Sequence, residues 1–192
     1  MMEIIKSCFK SYSELSQQWK TFRDKGTKLT NSLVNKHLTL SYIDLNDYSD
    51  SMKNNIDLQF KFKQQLFKEI EIEYEKLCSV QFELKSIYDK LYQNLTKAKP
   101  TFEKLLLSQS AATTTTNLSY DQNLLLKQYQ NYEEIVRMYK LSLDNKQTII
   151  ENLMQFDDRD QLVVLVSTWN NDTHINYQKI DLIQEIFINS IS

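Results

Sequence analysis

Residues 124–153 read LLLKQYQNYEEIVRMYKLSLDNKQTIIENL. Within and around this stretch Leu125, Tyr129, Tyr132, Val136, Tyr139, Leu143, Lys146, Ile150 and Leu153 are spaced 4, 3, 4, 3, 4, 3, 4 and 3 apart. Positions three and four apart share one face of an α-helix, so the nine side chains form a single seam. The pattern predicts a helix from about Tyr120 to Gln155.

The same repeat occurs twice upstream. Ile5, Cys8, Tyr12, Leu15, Trp19, Phe22, Gly26, Leu29 and Leu33 alternate by three and four, which predicts a helix from about Met2 to Asn35. Gly26 sits on that seam. It weakens the helix by about 1 kcal/mol relative to alanine, and it lets a large side chain approach closely. His37–Asn55, mixed in Asn, Asp, Ser and Tyr, reads as a loop with one short turn at most. Phe67, Ile70, Tyr74, Leu77, Gln81, Leu84, Tyr88, Leu91, Leu95 and Ala98 form the third seam, on a helix starting near Asp57 as N-cap. Inside it Glu69-Ile70-Glu71-Ile72-Glu73-Tyr74-Glu75 alternates like a strand, but the seam continues on both sides and length decides for helix. Its carboxylates point around the helix and do not converge on one ion. Gln81 reads as a register-setting polar residue. Pro100 pushes Lys99 out of the helical region, which places a boundary or kink there, with a short turn over Phe102, Leu105 and Leu106 beyond it.

Toward the C-terminus, Asp157-Asp158-Arg159-Asp160 ends the third long helix. These residues can also cap a short helix through Trp169, with Leu162, Leu165, Val166 and Trp169 on one face. Asn170–Thr173 is a loop with cap chemistry. A final helix has Tyr177, Ile180, Ile183, Phe187 and Ile191 on its inner face. The predicted fold is all-α: an elongated antiparallel bundle of three long helices plus two shorter C-terminal helices. It forms one domain over residues 1–192, with a mobile Ser/Thr-rich loop at about 108–119. Tyr12, Tyr74, Tyr88, Tyr129, Tyr132 and Tyr139 lie on seams, and a buried tyrosine needs a partner for its hydroxyl. Some seams can therefore lie at a bundle edge that a second protein covers.

Composition excludes much chemistry. The chain of 192 residues has one glycine and one proline, where average composition gives roughly 13 and about 10. Glycine-rich phosphate loops and turn-rich β-architectures cannot be built from it. The formal net charge is −2, which gives no general attraction to nucleic acid or anionic membrane. The charge is uneven. Residues 1–36 carry seven basic and three acidic side chains, and residues 157–192 carry two and six. Complementary packing of the two ends explains this better than a basic arm on RNA. Cys8 and Cys78 form no CxxC pair and, on or beside apolar seams, read as small buried hydrophobes. His37 and His174 read as solvated surface residues. Asp157, Asp158 and Asp160 lack the calcium-loop pattern and read as capping residues. No secretion signal or membrane span is visible, so a soluble, intracellular protein is expected, with no enzyme activity, cofactor or metal.

The order of features resembles a known family. Ile5-Lys6-x-Cys8-Phe9, Leu15-x-x-x-Trp19 and Phe22-Arg23-Asp24 open the match. Ile135-x-Arg137-x-Tyr139-Lys140, then Asp158, Leu162, Leu165 and Trp169, continue it, and Leu182-Ile183-x-x-Ile186-Phe187 closes it. Spacing and order cover roughly half the chain, and the two tryptophans discriminate best. The pattern resembles the ribosome maturation factor family known by the acronym AIRIM, small helical subunits of an AAA-ATPase complex. The resemblance implies a non-enzymatic adaptor. Its partners would be the ATPase and a second small helical subunit resembling the cyclin-dependent-kinase-interacting protein family. Its work would be release of shuttling factors from large-subunit preribosomes, with nuclear and cytoplasmic location. A replication-fork role is also attributed to that complex. Trp169, Tyr139 and Trp19 are the partner-interface candidates. For Trp169 the other reading is a core anchor that locks the terminal helices. A self-associating coiled-coil tether or spacer fits the seams equally well.

Overall fold

The computed structural model describes residues 2–44, 55–110 and 119–191. They form five α-helices: α1 Met2–Asp44, α2 Ile56–Ser110, α3 Tyr120–Asn152, α4 Arg159–Asn171 and α5 Tyr177–Ile191. No strand occurs among the described residues, so the all-α class and the count of three long and two short helices agree with the seams. Among the described residues no helix is long and apolar enough to cross a membrane.

The contacts fall into two compact units, and each long helix contributes to both. The first comprises Met1–Lys20, Lys85–Leu143 and Thr173–Ser192; the second comprises Thr21–Leu84 and Asp144–Asp172. In the first unit Phe9 meets Tyr132 edge-on at 5.6 Å and Tyr12 meets Tyr139 at 6.0 Å, so α1 and α3 run the same way. There α5 returns against α1: Lys20 lies over the Tyr177 ring, and Phe187 stacks on Phe9 at 4.2 Å. In the second unit α4 also opposes α1, with Asn170 hydrogen-bonded to Thr27 and Asp157, just before α4, to Ser41.

Four helix starts are satisfied by side chains. Asn55 Oδ1 accepts from the Leu58 amide and Asn176 Oδ1 from the Lys179 amide. Asp158 caps α4 by accepting from the Asp160 amide, the role expected of that acidic cluster. Ser119 and Gln122 bond each other's backbone amides, a reciprocal capping box at the start of α3. The cap of α2 is therefore Asn55, and Asp57 lies in its first turn, where a carboxylate still favours the helix N-terminus.

All nine residues of the Leu125–Leu153 seam are buried, Leu153 just past the end of α3. On α1 seven of the nine are, with Phe22 and Leu29 half-buried. The α2 stripe is displaced. Leu66, Val80 and Ile87 are buried, while Phe67 is exposed and Tyr74, Gln81 and Tyr88 are half-buried. Both sets fit a 3–4 repeat around Leu77, Leu84 and Leu91. The aliphatic set takes the core because it buries no polar atom. The inner face of α5 holds Ile180, Ile183 and Phe187, with Tyr177 half-buried.

Three boundaries differ from expectation. Helix α1 runs on to Asp44 through the first part of the expected loop; residues 45–54 of that loop lie outside the described residues. Leu38, Leu40 and Ile43 are buried there, and Thr39 and Ser41 donate to the carbonyls four residues back. Packing outweighs weak local propensity. Helix α2 likewise passes through Pro100 to Ser110. The proline removes one hydrogen bond, but buried Ala98 and Phe102 hold the turns on either side, with Phe102 stacked on Tyr129 at 4.4 Å. Most of the expected Ser/Thr-rich loop lies outside the described residues. Finally, α3 ends at Asn152 and its last residues form a turn.

Two side chains correct the expected exposure. His37 is buried, its Nε2 3.0 Å from the Phe156 carbonyl, because α1 continues past it into the core. Cys78 is exposed and Cys8 buried, since Cys78 sits one step off the displaced α2 stripe. His174 is exposed in the turn before α5.

Candidate functional site

The densest polar constellation lies in the second unit, around Trp169. Its indole is fully buried, and Nε1–H donates to the Arg23 carbonyl at 3.1 Å. The Nε1 edge of the ring meets α1 at Gly26, where an added Cβ would stand 2.6 Å from Cε2 and 2.7 Å from Nε1. The seam glycine thus admits a large side chain from another segment of the same chain.

Lys146 reaches the same place from the α3 seam. Its Nζ donates to the Trp169 carbonyl, lies 4.7 Å from the indole centroid and pairs with Asp172 Oδ1 at 2.8 Å. Asp172 Oδ2 is 3.5 Å from the Arg23 guanidinium, and neither Lys146 nor Asp172 has more than 1% of its side chain exposed. Asp172 ends α4 with φ 46° and ψ 52°, the left-handed conformation that aspartate tolerates better than most residues. Burial pulls the Lys146 ammonium below the usual lysine range, against the opposing pull of Asp172. A buried amine held by a carboxylate, a carbonyl and an indole face is a clamp. It joins α1, α3 and the end of α4 and offers no nucleophile that a substrate can reach.

Trp19 and Tyr139 sit in the first unit and are also fully buried. Their rings meet edge-on at 4.9 Å, and the Tyr139 hydroxyl lies 3.2 Å from that of Tyr12. That pair provides the partner that buried hydroxyls require, and burial raises the Tyr12 pKa. Cys8 donates to the Asn94 carbonyl at 3.6 Å, and burial pushes its thiol up to about 11, so it remains protonated at neutral pH. The structure does not bring Trp169 together with Trp19 and Tyr139 in one unit, and none of the three presents surface. For Trp169 the core-anchor reading describes its position.

Sequence reasoning placed Lys146 on the seam but assigned it no partner. A lysine among eight apolar or aromatic seam residues is itself a signal that a buried acid lies elsewhere. Asp172, 26 positions on in a polar loop, carries no such mark. A second missed pair of contacts joins Lys36 to Glu73 at 2.8 Å and Glu69 at 3.0 Å. The alternating glutamates do converge two by two, because residues four apart share a helix face. Glu69 and Glu73 turn to α1, leaving Glu71 and Glu75 on the other side. In the first unit Glu134 accepts from Arg137 and Lys179, which hold its carboxyl at about 2.

No group of three or more His, Cys, Asp or Glu side chains could hold a metal ion among the described residues. Large apolar side chains do reach the surface: Phe60 and Phe67 on α2, Val163 and Val164 on α4, Leu182 and Ile188 on α5. In the first unit, a groove of about 470 Å³ lined by Lys6, Phe9, Lys10, Gln184, Phe187 and Ile188 adjoins α5. Neither a protein-family model nor a curated protein matches the chain.

Proposed function

We propose that the protein is a non-enzymatic adaptor subunit of an AAA-ATPase complex, acting in cytoplasmic maturation of the large ribosomal subunit. Its task there is release and recycling of shuttling assembly factors. ATP hydrolysis belongs to the ATPase, and a second small helical subunit resembling the cyclin-dependent-kinase-interacting protein family completes the assembly in cytoplasm and nucleus. The reading rests on the AIRIM-like order of residues. One observation carries it furthest: of the residues that carry the resemblance, Cys8, Phe9, Leu15, Trp19, Tyr139, Leu162, Trp169, Ile183 and Phe187 are buried, while Asp24, Arg137, Lys140, Asp158, Leu182 and Ile186 are exposed. The buried part of the pattern reflects a way of packing helices, and its exposed part, Leu182 and Ile186 included, is open to a partner. Exposed apolar side chains on α2, α4 and α5 suit a protein that works by binding.

The rival is a self-associating coiled-coil tether, favoured by the exposed Phe60 and Phe67, one heptad apart. Affinity purification of the tagged chain with mass spectrometry separates the two. The adaptor reading expects an AAA ATPase and a second small helical protein at comparable abundance. Recovery of the chain with copies of itself alone would overturn it.

A further inference from the structure

In the second unit α1 and α4 enclose a cleft of about 380 Å³. Its floor is apolar: Val34 and Leu38 of α1 are buried there, and Val163 and Val166 of α4 complete it. Both ends are tied across the two helices. At one end Thr27 Oγ1 donates to Asn170 Oδ1 at 3.2 Å. At the other Ser41 donates to Asp157 at 3.2 Å, and His37 Nε2 meets the Phe156 carbonyl at 3.0 Å. Thr27 and Ser41 are 14 positions apart on α1, about 21 Å of helix.

The walls carry hydrogen-bonding groups that the fold does not use. Asn31 Nδ2 donates to the Thr27 carbonyl, and Asn170 Oδ1 accepts from Thr27. That leaves Asn31 Oδ1 as an acceptor and Asn170 Nδ2 as a donor. The side chains of Asn35 and Arg159 also line the cleft, and neither has a hydrogen-bond or ion-pair partner among the described residues. The acidic neighbours of Arg159 are engaged elsewhere: Asp158 caps α4, and Asp157 is held by Ser41 and His37. Asn31 and Asn35 stand one helical turn apart, about 6 Å. Alternate residues of an extended strand are about 6.6 Å apart, so the two amides match alternate peptide groups along one edge of a strand. An extended backbone has N–H and C=O groups to offer, whereas those of a helix are bonded within it.

We infer that this cleft binds the extended C-terminal segment of another protein, about five residues long, with its terminal carboxylate on Arg159. Apolar side chains of the segment would lie on Val34, Leu38, Val163 and Val166. Its peptide groups would exchange hydrogen bonds with Asn31, Asn35 and Asn170. Three observations select this occupant. Free side-chain amides serve an extended backbone and do nothing for a docked helix. The Ser41–Asp157 tie closes the cleft just beyond Arg159, so a strand running that way must end there. A chain end supplies the carboxylate that an unpaired, planar guanidinium takes in bidentate fashion. Finally, a second copy of this chain has no extended segment to offer among the described residues, since residues 153–158 and 172–176 are the turns that join its own helices. The inference does not depend on the ribosome-maturation reading, since it fixes the chemistry of the partner segment and not its identity.

The test is affinity selection with mass spectrometry on the full chain. The probe is a pool of pentapeptides built from Ala, Ser, Val, Leu and Ile with free C-terminal carboxyls, set against the same pool amidated. The expected result is retention of free-acid members, with their amidated counterparts retained about tenfold less, the size of a lost hydrogen bond to a charged group. Arg159→Gln and, independently, Asn35→Asp should each lower that retention by about tenfold. Both positions are exposed, and unchanged circular-dichroism melting checks that each variant folds. If one variant melts early, the other and the amidated pool decide. Lys68→Gln, on α2 and outside the cleft, should leave retention as it is. No free-acid member retained above the level of Arg159→Gln, equal retention of the amidated pool, or retention that a folded Arg159→Gln or Asn35→Asp variant leaves unchanged would each overturn the inference.

Discussion

Trp169→Ala lowers folding stability by about 3–5 kcal/mol, the range for removing a large buried aromatic side chain. For a chain of this size that corresponds to a fall in melting temperature of roughly 6–20 °C. The loss has two parts: the apolar area of the indole, and the Arg23 carbonyl left without its donor. Gly26 makes the prediction sharper. In the wild type, Gly26→Ala drives a methyl group into a ring held by its own hydrogen bond, so it destabilises despite the better helix propensity of alanine. In the Trp169→Ala background the obstruction is gone. Gly26→Ala then becomes neutral or stabilises by up to about 1 kcal/mol. Thermal melts of the four proteins give the coupling energy directly. If Gly26→Ala costs the same with and without the indole, the close packing of α4 on α1 is wrong.

Lys146→Met is the second large effect. The substitution keeps most of the length of the side chain but removes its charge, leaving the buried Asp172 carboxylate without its 2.8 Å ion-pair partner. Removing one partner of a buried ion pair costs about 3–5 kcal/mol because the other charge stays buried. Replacing both partners is milder. Asparagine accepts the left-handed backbone at position 172 and carries no charge, so Lys146→Met/Asp172→Asn recovers a good part of the loss. Chemical denaturation of the two single variants and the double variant checks this. A double variant as unstable as the sum of the singles would mean that Lys146 and Asp172 do not act as a pair.

The helical framework was legible in the sequence because long seams average out local ambiguity. The α3 seam is buried at all nine positions, including Lys146, whose charge argues against it locally. Period-2 alternation around Glu69–Glu75 did not mislead, since the seam ran through it. On α2 the choice between Val80 and Ile87 or Gln81 and Tyr88 depends on which neighbours the helix meets, and neighbours are not in the local pattern. The run of α1 past Asn35 and the passage of α2 through Pro100 were hidden for the same reason. In each, tertiary burial at Leu38, Ile43, Ala98 and Phe102 outweighs a local signal. The site was less legible still. Gly26 announced a close approach, but nothing in the sequence tied it to Trp169, and Asp172 looked like ordinary loop chemistry. The surface candidates came from residue type, from the resemblance and, for Trp169, from its place between a short apolar helix and a polar loop. Tryptophan and tyrosine are enriched both in cores and at interfaces, and here Trp19, Tyr139 and Trp169 went to the cores.

The central claim is that the protein acts by joining other proteins and not by assembling with itself. Sedimentation velocity of the purified chain at micromolar concentration, alone and then with the ATPase and the second helical subunit recovered by affinity purification, tests it most directly. The account predicts a single species near the monomer mass of 22.9 kDa alone. On mixing, that species should move wholly into a heavier boundary with the other two components. A stable dimer or larger species of the chain alone, with no shift when the ATPase is added, would contradict it.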